Sequence, residues 1–187
     1  MVTITFVLLL SACGSEKIET NMSSDVADFE FTTQDNEQFG LKDLKGEWWA
    51  AYFMYTECTM VCPTTTPNMV DIQEQLHESG LELPIVSFTV DPGHDTPDVL
   101  KTYAKENKID VKNWSLLTGY DFEEIKKLSE GSFKSVLEDG GTGEMEMVHS
   151  TLFFLINPDG KVVKKYDGLS QKELDVFVHD AQAVLSQ

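Results

Sequence analysis

Eight consecutive residues from Trp48 to Tyr55 carry no charge and include five aromatic rings. Successive side chains on a strand point to opposite faces, so an unbroken apolar run predicts a strand buried on both sides. Such a strand needs a packing layer above and below it, which points to an α/β or mixed architecture. A second run of this kind spans Pro84 to Val90. Between the two, Met69, Ile72 and Leu76 fall at i, i+3 and i+7, the spacing of one helix face. Strand, helix and strand in this order predict a parallel pair joined by a right-handed crossover.

The flanking segments add elements to that centre. Phe29 and Phe31 alternate ahead of the Asp35-Asn36 turn signal, and Phe39 and Leu41 follow it, predicting an N-terminal hairpin. Thr96 as N-cap with Pro97 behind it opens a helix reaching about Asn107, and a short strand is expected near Trp114. Asp121 with Glu124 reads as a capping box for a helix to about Ser129. Leu152–Ile156 and Lys161–Tyr166 flank Asn157-Pro158-Asp159-Gly160, a second hairpin, and Ser170 with Glu173 opens a last helix to about Leu185. The expected fold is a mixed sheet flanked by helices, thioredoxin-like, with an N-terminal β-hairpin and a late β-hairpin insertion.

Composition narrows the partners. The chain has 187 residues, enough for one domain and a tether, with 14 basic against 32 acidic side chains and a formal charge of −18. Every basic residue is lysine. A surface this acidic repels phosphate backbones and anionic lipid, so nucleic acid is excluded as a partner; the charge fits either a salty habitat or an encounter with a basic protein face.

Val2 to Leu10 is apolar apart from Thr3 and Thr5, and is too short to span a bilayer core that needs about 20 helical residues. It reads as the core of a secretory signal, although no lysine precedes it. Leu10-Ser11-Ala12-Cys13-Gly14 resembles a bacterial lipobox. That resemblance implies a signal segment over residues 1–12, lipidation of Cys13, a flexible tether over residues 13–26 and a folded domain over 27–187. It further implies an exported protein, anchored to a bacterial membrane by its lipid with the domain on the extracytoplasmic side.

With Cys13 assigned to lipid, the remaining thiols are Cys58 and Cys62. They sit in the loop between the first buried strand and its helix, at the carboxyl end of the sheet where open α/β proteins place their chemistry. Pro63 predicts a helix beginning at that residue, with Cys62 at its N-terminus where free N–H groups favour a thiolate. Two thiols four residues apart can close a disulfide or chelate a soft ion; two sulfurs suit Cu(I), and Cu(II) calls for a nitrogen as well. Among the four histidines, His77 and His179 lie on helix faces, while His94, in the loop after the second strand, and His149, just before the Ser150–Phe154 strand, are candidate ligands.

Cys58-Thr59-Met60-Val61-Cys62-Pro63, Ser87-Phe88-Thr89-Val90-Asp91-Pro92 with Asp95-Thr96-Pro97, Trp114 through Gly119, and His149-Ser150-Thr151 leading to Asn157-Pro158-Asp159-Gly160 together resemble the Sco/SenC family. The resemblance covers about Phe29 to the C-terminus. It implies a thioredoxin-like fold that binds copper, as Cu(I) and Cu(II), through Cys58, Cys62 and His149. It also implies delivery of that copper to the copper A centre of cytochrome c oxidase subunit II. An upstream copper donor or thiol reductant would complete the partners of a monomer. Two positions depart from the pattern: Val148 stands where many members carry aspartate, and Pro67 falls one turn into the helix, predicting an irregular first turn. Met60, Met145 and Met147 read first as packing residues, and Asp91 as a turn residue.

A thiol–disulfide oxidoreductase acting on the oxidase subunit's cysteines is the alternative, with Cys58 and Cys62 as its redox pair. A peroxiredoxin-type peroxidase is weak, because such sites resemble one another in using an arginine and this chain has none.

Overall fold

The computed structural model describes residues 18–140 and 147–186. The signal segment, Cys13 and Met145 lie outside the described residues. In chain order the elements are β1 (Ser24–Asp25), β2 (Glu30–Thr33), β3 (Gln38–Gly40), β4 (Trp49–Met54), α1 (Cys62–Glu78), β5 (Ile85–Thr89), α2 (Pro97–Glu106), β6 (Trp114–Thr118), α3 (Phe122–Leu128), β7 (Leu152–Ile156), β8 (Lys161–Asp167) and α4 (Gln171–Leu185). The strands form one mixed sheet in the order β1-β8-β7-β4-β5-β6-β2-β3. Within it β4, β5 and β6 run parallel, and the remaining pairings are antiparallel.

Every residue of β4 is buried, and alternate residues serve opposite faces. Tyr52 packs edge-on against Trp114 and Phe153, and Phe153 meets Phe177 of α4. Its neighbour Phe53 points the other way, to Phe88, Phe133 and Phe154. Phe88 also contacts Phe29 and Phe31 from the N-terminal side, so the hairpin's aromatics close that face. One apolar strand thus serves two cores, which is why its sequence shows no polar alternation.

Local signals account for most element ends. Asn36, at φ 61°, makes the hairpin turn between β2 and β3. Asp121 accepts the Glu124 N–H at 2.8 Å, and Thr96 accepts that of Val99 at 3.4 Å. The box expected at Asp121 is half made, by the bond from the Glu124 N–H alone, and the one expected at Ser170 does not form. Ser170 makes no side-chain cap, and Glu173 instead accepts the Asp167 N–H at 2.7 Å, fastening the end of β8. After α3 the chain widens through a π turn, Ser129–Phe133, which seats Phe133 in the core.

Two further expectations change. Helix α1 begins at Cys62 rather than Pro63 and continues unbroken through Pro67, whose missing N–H costs only the bond to the Pro63 carbonyl. The tether expected over 13–26 is partly taken up by the sheet. Asn21 and Met22 donate to the Val163 carbonyl, Val26 donates to Gly160, and β1 pairs with β8. A two-residue strand lacks the length for a readable alternation, so its pairing depends on the edge it meets. Among the described residues no helix is long and apolar enough to cross a membrane.

Phe88→Ala removes a ring that touches Phe29, Phe31, Phe53 and Phe133. It should lower stability by about 3–5 kcal/mol, read as a shifted midpoint in urea unfolding.

Candidate metal centre

The parallel pairing of β4 and β5 brings their carboxyl ends together, and the Val90 N–H extends the ladder by donating to Met54 at 2.8 Å. The loops from Tyr55 to Val61 and from Val90 to Thr96 therefore emerge side by side. Strand β7 runs antiparallel to β4 with Ala51 opposite Phe154. Continuing that register for five residues sets His149 level with Thr56, two residues before Cys58. Sheet register is what carries a histidine 91 positions distant in sequence to the thiols.

Cys58, Cys62 and His149 form the cluster of metal-ligating atoms among the described residues, all within 4.8 Å of one another. His149 Nε2 stands 3.8 Å from each sulfur. Its Nδ1 donates to the Ser150 carbonyl at 3.1 Å, which aims Nε2 at the thiols. A backbone carbonyl thus does the orienting work that the Val148 position does not supply. The imidazole also stands edge-on to Tyr55 at 5.6 Å between ring centroids.

The thiols are both free, and both are buried. Cys58 is fixed by its N–H to the Tyr55 carbonyl at 3.3 Å, and its sulfur accepts the Cys62 N–H at 3.3 Å. The Cys62 thiol, followed by His149 and the N–H groups of Cys62 and Val61, holds Cys58 well below the usual thiol range against the opposing effect of burial. Cys62 is pushed up, because its proton is committed to Cys58 and because it is buried. The two shifts run in opposite directions, so Cys58 is the more acidic thiol of the pair.

The separations fit one metal ion. Bonds of about 2.3 Å to sulfur and about 2.0 Å to nitrogen, opened to a trigonal angle, place S and N about 3.7 Å apart. A tetrahedral angle would place them about 3.5 Å apart, further from the observed value. Two soft thiolates and an imidazole make a donor set that both copper oxidation states accept.

Supporting contacts that motif reading did not single out hold this geometry. Buried Asp95 accepts the Thr56 N–H at 3.1 Å, the Thr56 hydroxyl and the Thr89 hydroxyl, clamping the chain just before Glu57 and Cys58 to the end of β5. Ser135 donates to the Ser150 hydroxyl at 2.7 Å, pinning the segment that carries His149. Gly168 donates to the Thr151 carbonyl at 3.0 Å and accepts Asn68 Nδ2 of α1 at 2.7 Å, joining the thiol helix to the histidine strand. A Cβ at Gly168 would lie 2.5 Å from the Thr151 oxygen, so the close approach requires glycine. The available signals were an Asp directly before a Thr-Pro cap and a Gly after a strand, neither of which names its partner.

His94 is not part of the thiol cluster; it stands beside Glu57 and Asp95. His77 pairs with Glu82 and His179 is exposed, as their helix positions suggest. Met60 is 73% exposed and Met147 packs at the edge of the core.

The chain is similar in sequence and fold to known proteins. The SCO1/SenC family model matches residues 18–184. The SCO1 protein homolog of Bacillus subtilis is 37% identical over 94% of this chain and 91% of its own length. Among solved structures, a SCO1/SenC family lipoprotein from Bacillus anthracis is 39% identical with a TM-score of 0.83, covering 90% of this chain and 99% of that one. A structure of BsSco, described as having a disulfide switch and as a member of the Sco family of cytochrome c oxidase assembly proteins, is 34% identical. It has a TM-score of 0.82 and covers 90% of this chain and 98% of that one.

The unequal thiols make a reactivity difference measurable. At mildly acid pH an alkylating reagent should label Cys58 and spare Cys62 in the reduced native protein, with peptide mass spectrometry reading the sites. In denaturant both should react alike.

Proposed function

The chain belongs to the SCO1/SenC family, and from that premise we propose that it is a membrane-tethered copper chaperone that loads the copper A centre of cytochrome c oxidase subunit II. The observation that carries the reading is His149 Nε2 lying 3.8 Å from both Cys58 and Cys62 sulfurs. Copper is the cargo. Cys58 and Cys62 hold it as thiolates, and His149 supplies the nitrogen that Cu(II) requires.

Each residue has a task in loading and release. Cys58, the more acidic of the two thiols, makes the first bond to an incoming ion. The Cys62 thiol then loses its proton to solvent as the second sulfur binds. The N-terminus of α1 stabilises the charged sulfurs while the site is open. Release runs by stepwise exchange, each ligand giving way to one from the acceptor, so that free copper is never formed. The formal charge of −18 favours an acceptor with a basic face. Lipid on Cys13 would keep the domain beside a membrane-bound oxidase, in keeping with the lipoprotein relative.

A second reading is supported by the same thiols. Cys58 and Cys62 are free and within reach of each other, and the related BsSco has a disulfide switch. A thiolate at Cys58 attacking a disulfide of the oxidase subunit, resolved by Cys62, would reduce that subunit's copper-ligand cysteines and leave the pair oxidised.

Anaerobic titration of the reduced protein with Cu(II) separates the readings. An intense thiolate-to-copper band saturating at one equivalent is expected for the chaperone. Cys58→Ser or Cys62→Ser should abolish the band, and His149→Ala should weaken Cu(II) binding more than Cu(I) binding. Oxidation of the pair to a disulfide with no stable band would move the assignment to the reductase.

A further inference from the structure

His94 sits outside the thiol cluster, yet its surroundings are those of a ligand. Its Nδ1 lies 3.2 Å from Oδ1 of Asp95, a carboxylate with no exposed surface. The Thr56 hydroxyl, 3.5 Å from the same nitrogen, spends its proton on Asp95. Nδ1 is therefore a donor and Nε2 is turned outward; Asp95, then Glu57, favours a second proton on the ring, and a metal ion bound at Nε2 would displace that proton to solvent. A buried carboxylate behind an imidazole is the arrangement that fixes the tautomer and raises the basicity of metal-ligating histidines.

What Nε2 faces is Glu57 Oε1, at 3.5 Å. Two donors bound about 2.0–2.1 Å from a shared ion at tetrahedral to trigonal angles lie about 3.3–3.6 Å apart. Both side chains are open to solvent, His94 at 44% and Glu57 at 67% exposure. Asp91 adds negative charge beside them, its carboxyl raised by partial burial and by the neighbouring Asp95. An imidazole with a carboxylate is a borderline-to-hard donor set, matched to Cu(II) rather than to Cu(I). Glu57 is also the residue immediately before Cys58.

We propose that His94 and Glu57 form an outer Cu(II)-binding site through which the ion is passed to Cys58, Cys62 and His149. Its loading role rests on the copper-chaperone reading; its existence as a site does not. Transfer is a ligand exchange that moves no electron. The Glu57 oxygen and His94 nitrogen leave as the sulfurs arrive, and the proton of the Cys62 thiol goes to solvent. The clamp from Asp95 to Thr56 holds the donor and acceptor sites in one rigid loop pair. His94 is placed to hold cargo in transit rather than to stay bound once the thiolates have it.

Two measurements test this. In a Cys58→Ser/Cys62→Ser variant, addition of Cu(II) alone should give an electron paramagnetic resonance signal of nitrogen and oxygen donors with imidazole coupling. That signal should be lost on adding His94→Gln and weakened by Glu57→Gln, but kept with His149→Gln. Circular dichroism confirms that each variant is folded. A signal that survives His94→Gln, or that depends on His149 instead, overturns the site. In the reduced protein with its thiols intact, stopped-flow mixing with Cu(II) should show the thiolate band forming about tenfold or more slowly in His94→Gln, with an unchanged final amplitude. An unchanged rate overturns the loading role. If the parent protein forms no thiolate band, the chaperone reading fails, and the resonance measurement still decides the outer site.

Discussion

Strand β4 is covered on both faces, and the position of every chemically active group follows from where its carboxyl end stops. Burial of Tyr52 toward one core and Phe53 toward the other removes the freedom to slip by one residue, because a slip would exchange the two faces. With β4 fixed, its parallel neighbour β5 and antiparallel neighbour β7 are fixed in register. The first brings the Asp95 loop to the cysteine loop. The second brings His149. The two chemical partners of the thiol loop thus arrive on the two strands hydrogen-bonded to the same central strand.

The loop is turned by its own Cys58 N–H on the Tyr55 carbonyl and is held at its ends by contacts from outside it. Asp95 fastens its start at Thr56, α1 takes over at Cys62, and Gly168 ties α1 back to the strand behind His149. This division suits a site that must exchange a metal ion. Backbone anchors keep the sulfurs within reach of the imidazole, while Met60, between them in sequence, stays 73% exposed. Charge follows the same plan: the thiols are shifted in opposite directions, so the first metal–sulfur bond falls to Cys58 without two adjacent uncompensated anions.

Periodicity and turn chemistry were sufficient for the centre of the fold. The apolar runs at β4 and β5, the N-caps Thr96 and Asp121 and the Asn157–Gly160 turn all carry local signals, and the elements form where those signals lie. The misreadings have local causes too. Ser170 and Glu173 have the spacing of a capping box, but the Asp167 N–H competes for the Glu173 carboxylate. Residues 21–26 read as tether because two paired residues leave no pattern, and only the open edge of β8 gives them a partner.

For the site, local spacing put the two thiols within reach of each other, because sulfurs four residues apart converge where the loop takes a helix-like turn, and the start of α1 at Cys62 supplies one. It also placed both candidate histidines in loops next to strands. Residue pattern alone left His94 and His149 open, and it was the family resemblance that favoured His149. In the structure the choice is made by the pairing of β7 with β4, a long-range register that no local pattern encodes. The same holds for Asp95, whose role exists only because β5 ends beside the cysteine loop. Local spacing specifies which groups can act as ligands, and the packing of a doubly buried strand decides which of them meet.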